Sequence, residues 1–293
     1  GSCQIRNDSV VINPLTNIAV SNYGVTTTAL PAATINTHLD IVETLAQKSA
    51  CATCVDSNTT VFTADSTFTT DVIFSGKYYI AANVILTVAA NVSLDITNCD
   101  MIFGPCAGIN FGINSVLRAN NSVFRPCFIN DTWRGLMFSS SAKSVIDECT
   151  FKNATVAVNA IATDLKFNNN YIQNCWRGLQ IIGETDYSSP TTGNNFVLDE
   201  DYNNLVFCNN LTTTNQNPIS ISIDHSIVTG DISHNTFTVN NQQDIVAQSI
   251  VCTGSHFKNI SLNRFANVGN GIVVQNSMDD GSIVYQLIAG NEF

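Results

Sequence analysis

The sequence has few charged residues, and acidic residues predominate among them. Only 12% of its 293 residues are charged, with 12 Lys and Arg against 23 Asp and Glu, which gives a net charge of −11. This share is about half of that in an average globular protein. So few basic residues exclude the basic surface that nucleic-acid-binding proteins use. No apolar run approaches the ~18 residues of a transmembrane helix, so none is predicted.

Asparagine, threonine and serine supply most of the polarity instead. The sequence has 37 Asn, 30 Thr and 25 Ser. Asn and Thr are poor helix formers, so this composition predicts few long helices. Since 44% of the residues are hydrophobic and 9% are aromatic, the chain is expected to fold rather than to remain disordered. A surface of uncharged polar groups suits an extracellular, β-rich protein.

A pattern of one Asn or Cys, two positions before a large apolar residue, recurs along the chain. The Asn or Cys positions are Cys99, Asn121, Cys149, Asn170, Asn209, Asn235, Asn263 and Asn291. The apolar residues that follow them are Met101, Val123, Phe151, Ile172, Leu211, Phe237, Phe265 and Phe293. Their spacings are 22, 28, 21, 39, 26, 28 and 28 residues. Stretches that open with Gly and continue with alternating apolar residues, such as 108–111 and 178–181, recur in step.

Each repeat is predicted to contain two or three short strands, because apolar residues alternate within it and polar turns separate the alternating runs. The usual repeat of 21 to 28 residues matches one coil of a parallel β-helix. Stacked coils pair their strands in parallel, ~4.8 Å apart. An inward Asn at a turn can hydrogen-bond its counterpart in the next coil, and a small apolar Cys fits the same position. The sequence therefore predicts an all-β fold with a ladder of Asn side chains.

On these positions, residues 58–293 resemble the right-handed, single-stranded parallel β-helix proteins, with about 8–10 coils. The phrase LPAATINTHL at 30–39 is similar to short helical repeats of viral tail-fibre proteins, which help their chains to trimerise. The Trp-x-Gly-Leu openings of two repeats look like those of secreted bacterial β-helix proteins. The resemblance implies an extracellular or virion-surface protein, and it specifies the fold better than the function.

Residues 1–57 lack the repeat and form a separate N-terminal segment, in which helical spacing of apolar residues predicts a helix at 35–50. This helix either caps the open end of the β-helix or forms a three-chain coiled coil. The 39-residue interval predicts an insertion loop at about 183–204. The chain ends in mid-coil at Phe293, which predicts a truncated C-terminal end that is continued by further chain or buried by another chain.

Two acidic clusters supply the candidates for catalytic residues. Asp199 and Asp201 lie in the predicted insertion and would share one face of an extended strand. Asp279 and Asp280 lie at a predicted turn. Paired carboxylates can act as general acid and base in glycoside hydrolysis, or bind Ca²⁺, and the alternative is a solvated acidic loop. The motifs of polygalacturonase- and pectate-lyase-type β-helix enzymes are absent, which favours a binding protein over a glycoside hydrolase or polysaccharide lyase.

Both tryptophans occur in a Trp-Arg-Gly-Leu motif, two repeats apart. An exposed Trp can stack on a sugar ring, and the adjacent Arg can hydrogen-bond to the sugar. The alternative is a Trp that covers the corner of a coil at a tight Gly turn. With two residues of the predicted insertion, the candidate ligand-binding residues are Trp133, Arg134, Trp176, Arg177, Tyr187 and Glu200.

Ten cysteines and four histidines show no spacing typical of a metal site, so no metal or other cofactor is predicted, with Ca²⁺ at a carboxylate cluster as the alternative. Cys99 and Cys149 fall in the Asn ladder and are predicted to be buried thiols. Cys106 and Cys127 each end a Phe-x-Pro-Cys string one coil apart, which predicts either a disulfide between them or stacked thiols. The Cys-x-x-Cys at 51–54 favours a local disulfide.

The first functional hypothesis is a homotrimeric adhesion protein of the viral tailspike or fibre type, which recognises a host or surface glycan and in some forms depolymerises it. Parallel chains would give weak sugar contacts high avidity. One alternative is a secreted bacterial β-helix enzyme that acts on polysaccharide, or a cell-surface module. A further alternative is a structural shaft without a ligand. All of these exclude nucleic acid as a partner and insertion into a membrane.

Overall fold

Nearly all strands in the structure run parallel to their neighbours. The structure, a computed structural model, describes residues 11–13, 18–21, 24–25, 54–140, 142–184, 186–199, 202, 205, 207–208, 217–240, 247–275 and 287–293. Within these ranges the chain is all-β, without a helix, which confirms the predicted class. The chain divides into two compact units, Gly1–Asn58 and Thr59–Phe293. The helix predicted at 35–50 lies outside the described residues.

The first unit contains a small antiparallel sheet. Its strands are β1 (Val11–Asn13), β2 (Ile18–Ser21) and β3 (Gly24–Val25). They pair in the order β1-β2-β3.

The second unit is built from stacked coils, and each coil adds one parallel strand to each of three faces. Face 1 consists of the first halves of β6 (Val72–Ile80) and β8 (Ser93–Phe103), then β10 (Val116–Asn120), β13 (Ser144–Asp147), β16 (Leu165–Asn168), β19 (Thr191–Thr192), β22 (Ile227–Ser233), β25 (His256–Ser261) and β28 (Leu287–Ala289). Face 2 consists of β4 (Thr59–Phe62), the second halves of β6 and β8, then β11 (Val123–Pro126), β14 (Thr150–Lys152), β17 (Tyr171–Gln173), β20 (Asn195–Leu198), β23 (Thr236–Val239) and β26 (Arg264–Ala266). Face 3 consists of β5 (Ser66–Phe68), β7 (Ile85–Val88), β9 (Gly108–Phe111), β12 (Gly135–Ser139), β15 (Val156–Ile161), β18 (Arg177–Ile182), β21 (Ile219–Asp224), β24 (Gln248–Thr253) and β27 (Asn270–Gln275). This arrangement is compatible with a β-helix.

At the corner between face 1 and face 2 the chain turns at one residue in the left-handed backbone region, which Asn and Gly adopt most readily. These residues, with φ between +46° and +69°, are Asn98, Asn121, Glu148, Asn169, Gly193, His234, Leu262 and Gly290. The next residue in each coil forms the ladder. The ladder residues are Cys99, Ser122, Cys149, Asn170, Asn194, Asn235, Asn263 and Asn291. The turn explains part of the high Asn content, and the ladder explains another part.

The predicted repeat is one residue out of register at Asn121. Because Asn121 itself adopts the left-handed conformation, Ser122 is the buried residue of the ladder. The alternation of β11 then buries Phe124 rather than Val123. The ring of Phe124 stacks on that of Phe151 in the next coil, at 4.8 Å between centroids.

The longest connection of the coils lies further along the chain than the predicted insertion at 183–204. Phe196 occupies the core position predicted for Leu211, since it pairs with Ile172 on one side and stacks on the next coil at 5.1 Å on the other. The predicted insertion therefore overlaps β19 and β20, which are strands of the coil. The extra residues form the connection 199–218 between β20 and β21.

Two strands of face 3, β18 and β27, have Gly as their second residue because the chain passes close to the aromatic column of face 2 there. A Cβ added at Gly178 would lie 2.6 Å from Cε1 of Phe196, and one at Gly271 would lie 2.5 Å from Cε1 of Phe293. Both distances are shorter than van der Waals contact, so the two elements pack this closely only without a side chain.

Candidate functional site

The corner between face 2 and face 3 carries the longest connection between strands of the coils, and two shorter ones beside it. Here the chain runs from β11 to β12 through 127–134, from β20 to β21 through 199–218, and from β23 to β24 through 240–247. In two intervening coils the same corner is made by only 153–155 and 174–176. Loops placed on a rigid scaffold commonly carry binding function, so this corner is the first place to search for a site.

A disulfide fastens the longest of these connections to the scaffold. Cys208 in the connection 199–218 is bonded to Cys106, which is 102 residues away and follows the end of β8. The backbone N–H of Cys208 also donates to Oγ1 of Thr155, at 3.1 Å. The described residue Cys208 thus lies beside the end of β8, several coils away from β20 and β21, and we call the connection 199–218 the strap.

The disulfide predicted between Cys106 and Cys127 does not form, and the alternative of two stacked thiols is wrong as well, because both residues are disulfide-bonded. The two residues lie in neighbouring coils as expected, but the strap brings Cys208 to Cys106, at 5.4 Å between the Cα atoms. Cys54 and Cys127 each take part in a disulfide as well. The predicted buried thiols are confirmed, because Cys99 and Cys149 are free and buried.

A second hydrophobic core, distinct from the one inside the coils, lies along the strap. Trp176 packs against it from the coil beneath. Its buried members are Leu198, Tyr202, Leu205, Phe207, Val239 and Ala247. Apolar packing therefore holds the strap as well as its disulfide.

Beside the strap, a cavity of ≈260 Å³ opens at the same corner, and we call it the corner groove. It is lined by Arg125, Pro126, Cys127, Phe128, Ile129, Lys152, Asn153, Gln173 and Asn174. The lining comes from equivalent positions of three successive coils, at the ends of β11, β14 and β17. None of these described lining residues is acidic, although the chain as a whole is acidic.

Two basic side chains adjoin each other along the outer side of face 2. The guanidinium of Arg125 makes a two-pronged ion pair with Asp100, at 2.9 Å and 2.8 Å. Lys152 occupies the equivalent position one coil further on and is exposed. It forms no ion pair with any described residue. In the groove, the charge of Arg125 is therefore neutralised by Asp100, whereas the charge of Lys152 is free to pair with a ligand.

Amide side chains complete the far end of the groove. Asp199, just beyond β20, accepts hydrogen bonds from Nδ2 of Asn174, at 2.6 Å, and from Nε2 of Gln173. The backbone N–H of Asp199 in turn donates to Oδ1 of Asn174, at 2.9 Å. Burial, and to a smaller extent the Asp199 charge, raise the pKa of nearby Tyr171. Asp199 thus acts as an anchor that orients the two amides.

The structure places the two Trp-Arg motifs in different surroundings. Trp133 is fully buried, stacks on Phe103 at 4.1 Å and donates from Nε1 to the carbonyl of Lys152, at 2.8 Å, so its ring is unavailable to a sugar. Trp176 is half-buried, and the Arg177 guanidinium lies over the face of its ring, 4.5 Å from the centroid.

The other predicted candidates do not converge on one site. Arg134 is exposed and forms no ion pair with a described residue. Tyr187 is fully buried, with its hydroxyl donating to the carbonyl of Leu165. Burial raises the pKa of Tyr187 well above its usual range, so the phenol is a structural group. Four predicted residues lie outside the described residues, namely Glu200, Asp201, Asp279 and Asp280.

Sequence reasoning missed the basic and amide residues of the groove, although their spacing carries a signal. Arg125, Lys152 and Gln173 each stand three positions after a ladder residue. The signal becomes visible only when the ladder register is right. With Asn121 taken as the ladder residue, this position would fall on Phe124 instead of Arg125.

Comparisons of this chain with protein-family models, with curated proteins and with solved structures find no match. In the part of the chain that the structure describes, no helix is long and apolar enough to cross a membrane. The same described residues contain no group of three or more His, Cys, Asp or Glu side chains arranged to hold a metal ion.

Proposed function

We propose that residues 58–293 form a right-handed parallel β-helix that binds a glycan in the corner groove, as an extracellular adhesion protein of the tailspike or fibre type. The observation that carries the proposal is the groove itself. Three successive coils each place one basic or amide side chain, namely Arg125, Lys152 and Gln173, in register along one edge. An extended glycan lying along the stack would meet a hydrogen-bonding group in every coil, ~4.8 Å apart.

The groove is better suited to binding than to hydrolysis. Glycoside hydrolysis requires two carboxyl groups that flank the scissile bond. The described lining has no carboxyl group, and both oxygens of the adjacent Asp199 accept hydrogen bonds from amides. We therefore favour glycan recognition without depolymerase activity at this groove.

An extracellular or virion-surface location belongs to the same proposal. Four of the described cysteines are disulfide-bonded, Cys54, Cys106, Cys127 and Cys208, and disulfides persist in oxidising compartments. A viral fibre and a secreted bacterial protein both satisfy this condition. Light scattering tests the expected homotrimer, because a mass near three times 31.6 kDa favours the fibre and a monomer favours a secreted single chain.

An oligosaccharide array tests glycan binding, followed by titration calorimetry with the strongest ligand. We expect Gln173→Leu to weaken binding about tenfold, because it removes a hydrogen-bonding side chain from the groove wall. Gln180→Leu is the matched control, since Gln180 lies on the outer side of face 3, away from the groove. Equal effects of the two substitutions would place the binding site elsewhere.

The second candidate function is a structural shaft without a ligand. The ladder of amides and the aromatic columns favour it, because both run through successive coils and stiffen the stack. An array without any bound glycan, together with high resistance to urea, would support the shaft.

A further inference from the structure

We infer that the corner groove prefers a glycan that carries a carboxylate on one sugar and neutral sugars beside it, with Lys152 as the partner of the carboxylate. This inference rests on the proposed glycan binding and names the class of glycan. It depends on the distribution of charge along the groove.

The first argument is the unpaired state of Lys152. In this chain, whose net charge is −11, half of the ten basic residues that the structure describes pair with an acidic side chain. Five described basic residues do so, namely Arg118, Arg125, Lys143, Lys166 and Arg264. Lys152 has no such partner, although it lies in a cavity beside three amide side chains. A cation left unpaired in a groove without acidic lining residues is arranged to receive an anion from outside.

The second argument is the neighbour of Lys152 in the same column. Two adjacent cations, ~4.8 Å apart on paired strands, repel each other unless a negative charge lies between or beside them. Asp100 supplies that charge for Arg125, through contacts of 2.8 Å and 2.9 Å. One net positive charge therefore remains at this end of the groove, and it lies on Lys152.

The third argument is the negative charge at the other end. Asp199 belongs to the coil two steps beyond Lys152, which corresponds to ~10 Å along the stack. Its carboxylate is held in place by Gln173 and Asn174. A second carboxylate of the ligand at that end would be repelled, whereas sugar hydroxyls would be accepted. The groove therefore disfavours a glycan that is charged on every residue.

The experiment uses an array of oligosaccharides that carry carboxylates on every sugar, on alternate sugars or on none, each with its carboxyl-reduced copy. We expect the alternately charged probes to bind best to the full chain, and reduction of their carboxyl groups to weaken binding about tenfold. Raising the NaCl concentration from 50 to 500 mM is expected to weaken binding of these probes and not of their reduced copies.

Two variants assign the effect to the groove. Lys152→Gln is expected to weaken binding of the alternately charged probes about tenfold and to leave binding of the reduced copies unchanged. Lys258→Gln is the matched control, because Lys258 is an exposed lysine without a described ion pair on face 1. Circular dichroism of both variants should match the parent chain, since both side chains are exposed.

The outcomes separate this inference from the function on which it rests. Best binding of neutral or fully charged probes would overturn the inference and leave glycan binding intact. Binding of alternately charged probes that is insensitive to Lys152→Gln would overturn it as well. If the parent chain binds no probe on the array, both the inference and the proposed glycan binding fail.

Discussion

The substitution Asn235→Ala tests the amide ladder that joins the coils. Asn235 is 1% exposed and makes four hydrogen bonds through its side chain. Its Oδ1 accepts from the backbone N–H of Asn194, at 3.0 Å, and from Nδ2 of Asn194, at 2.9 Å. Its Nδ2 donates to the carbonyl of Thr191, at 2.9 Å, and to Oδ1 of Asn263, at 3.0 Å. One side chain thus connects three coils.

The expected loss of stability follows from these contacts. A net contribution of about 1 kcal/mol per hydrogen bond gives about 4 kcal/mol for four bonds. The alanine also leaves the buried backbone N–H of Asn194 without its acceptor. Because an unsatisfied buried donor costs more than an average hydrogen bond, we expect the loss of unfolding free energy to be large for the bonds removed. We therefore expect Asn235→Ala to lower the free energy of unfolding by about 3–5 kcal/mol.

Urea denaturation, followed by the fluorescence of the two tryptophans, measures this loss. Asn110→Ala is the matched control, because Asn110 points outward on face 3 and its side chain has no hydrogen bond to a described residue; we expect a loss below about 0.5 kcal/mol. Asn235→Cys introduces the residue that occupies the ladder at Cys149, and we expect a loss of about 1–2 kcal/mol. A loss below about 1 kcal/mol for Asn235→Ala would refute the structural role of the ladder.

Three further predictions concern the strap, the glycine corner and a buried thiol. Replacing Cys106 and Cys208 with Ser should lower the free energy of unfolding in urea by about 2–4 kcal/mol, and an unchanged midpoint would show that the strap is held by packing alone. Gly178→Ala should lower it by about 1–3 kcal/mol, because the added Cβ would meet Phe196, and an unchanged melting temperature would contradict the close packing. Burial raises the pKa of the Cys175 thiol from 9.0 to about 12, so its contribution to stability is complete below pH 9 and is lost as the pH rises towards 12. Unfolding measured from pH 8 to 11 should show this decline in the parent chain and less of it in Cys175→Ala, and identical slopes would contradict it.

Much of the architecture could be predicted because a solenoid repeats its local pattern. Each coil contacts mainly the coils before and after it, so one set of side-chain requirements recurs along the sequence. The recurrence of Asn or Cys before a large apolar residue therefore predicted parallel strands and a ladder. The predicted register was wrong by one residue at Asn121. Asn occurs both at the left-handed turn and in the inward ladder, so the residue type alone does not distinguish the two positions.

The position of the longest connection was harder to predict for the same reason. Asn and apolar residues are common in this chain, so the pattern of the repeat also arises by chance. Asn209 and Leu211 are such a chance match. The structure shows that Phe196 fills the core position instead, because its ring continues the column that includes Phe237. Stacking between coils decides the register, and no local sequence window contains that information.

The sequence by itself determined the class of fold, the approximate length of a coil and most of the Asn and Cys residues of the ladder, because these depend on contacts repeated in every coil. Only the tertiary structure determined where the groove lies and which residues line it. The groove depends on the register that aligns Arg125, Lys152 and Gln173 on three strands. The disulfide that brings Cys208 to Cys106 from 102 residues away is likewise decided by the tertiary structure. The disulfide joins distant segments, and the alignment of the three side chains depends on the register that stacking between coils decides, so no local stretch of the sequence encodes either of them.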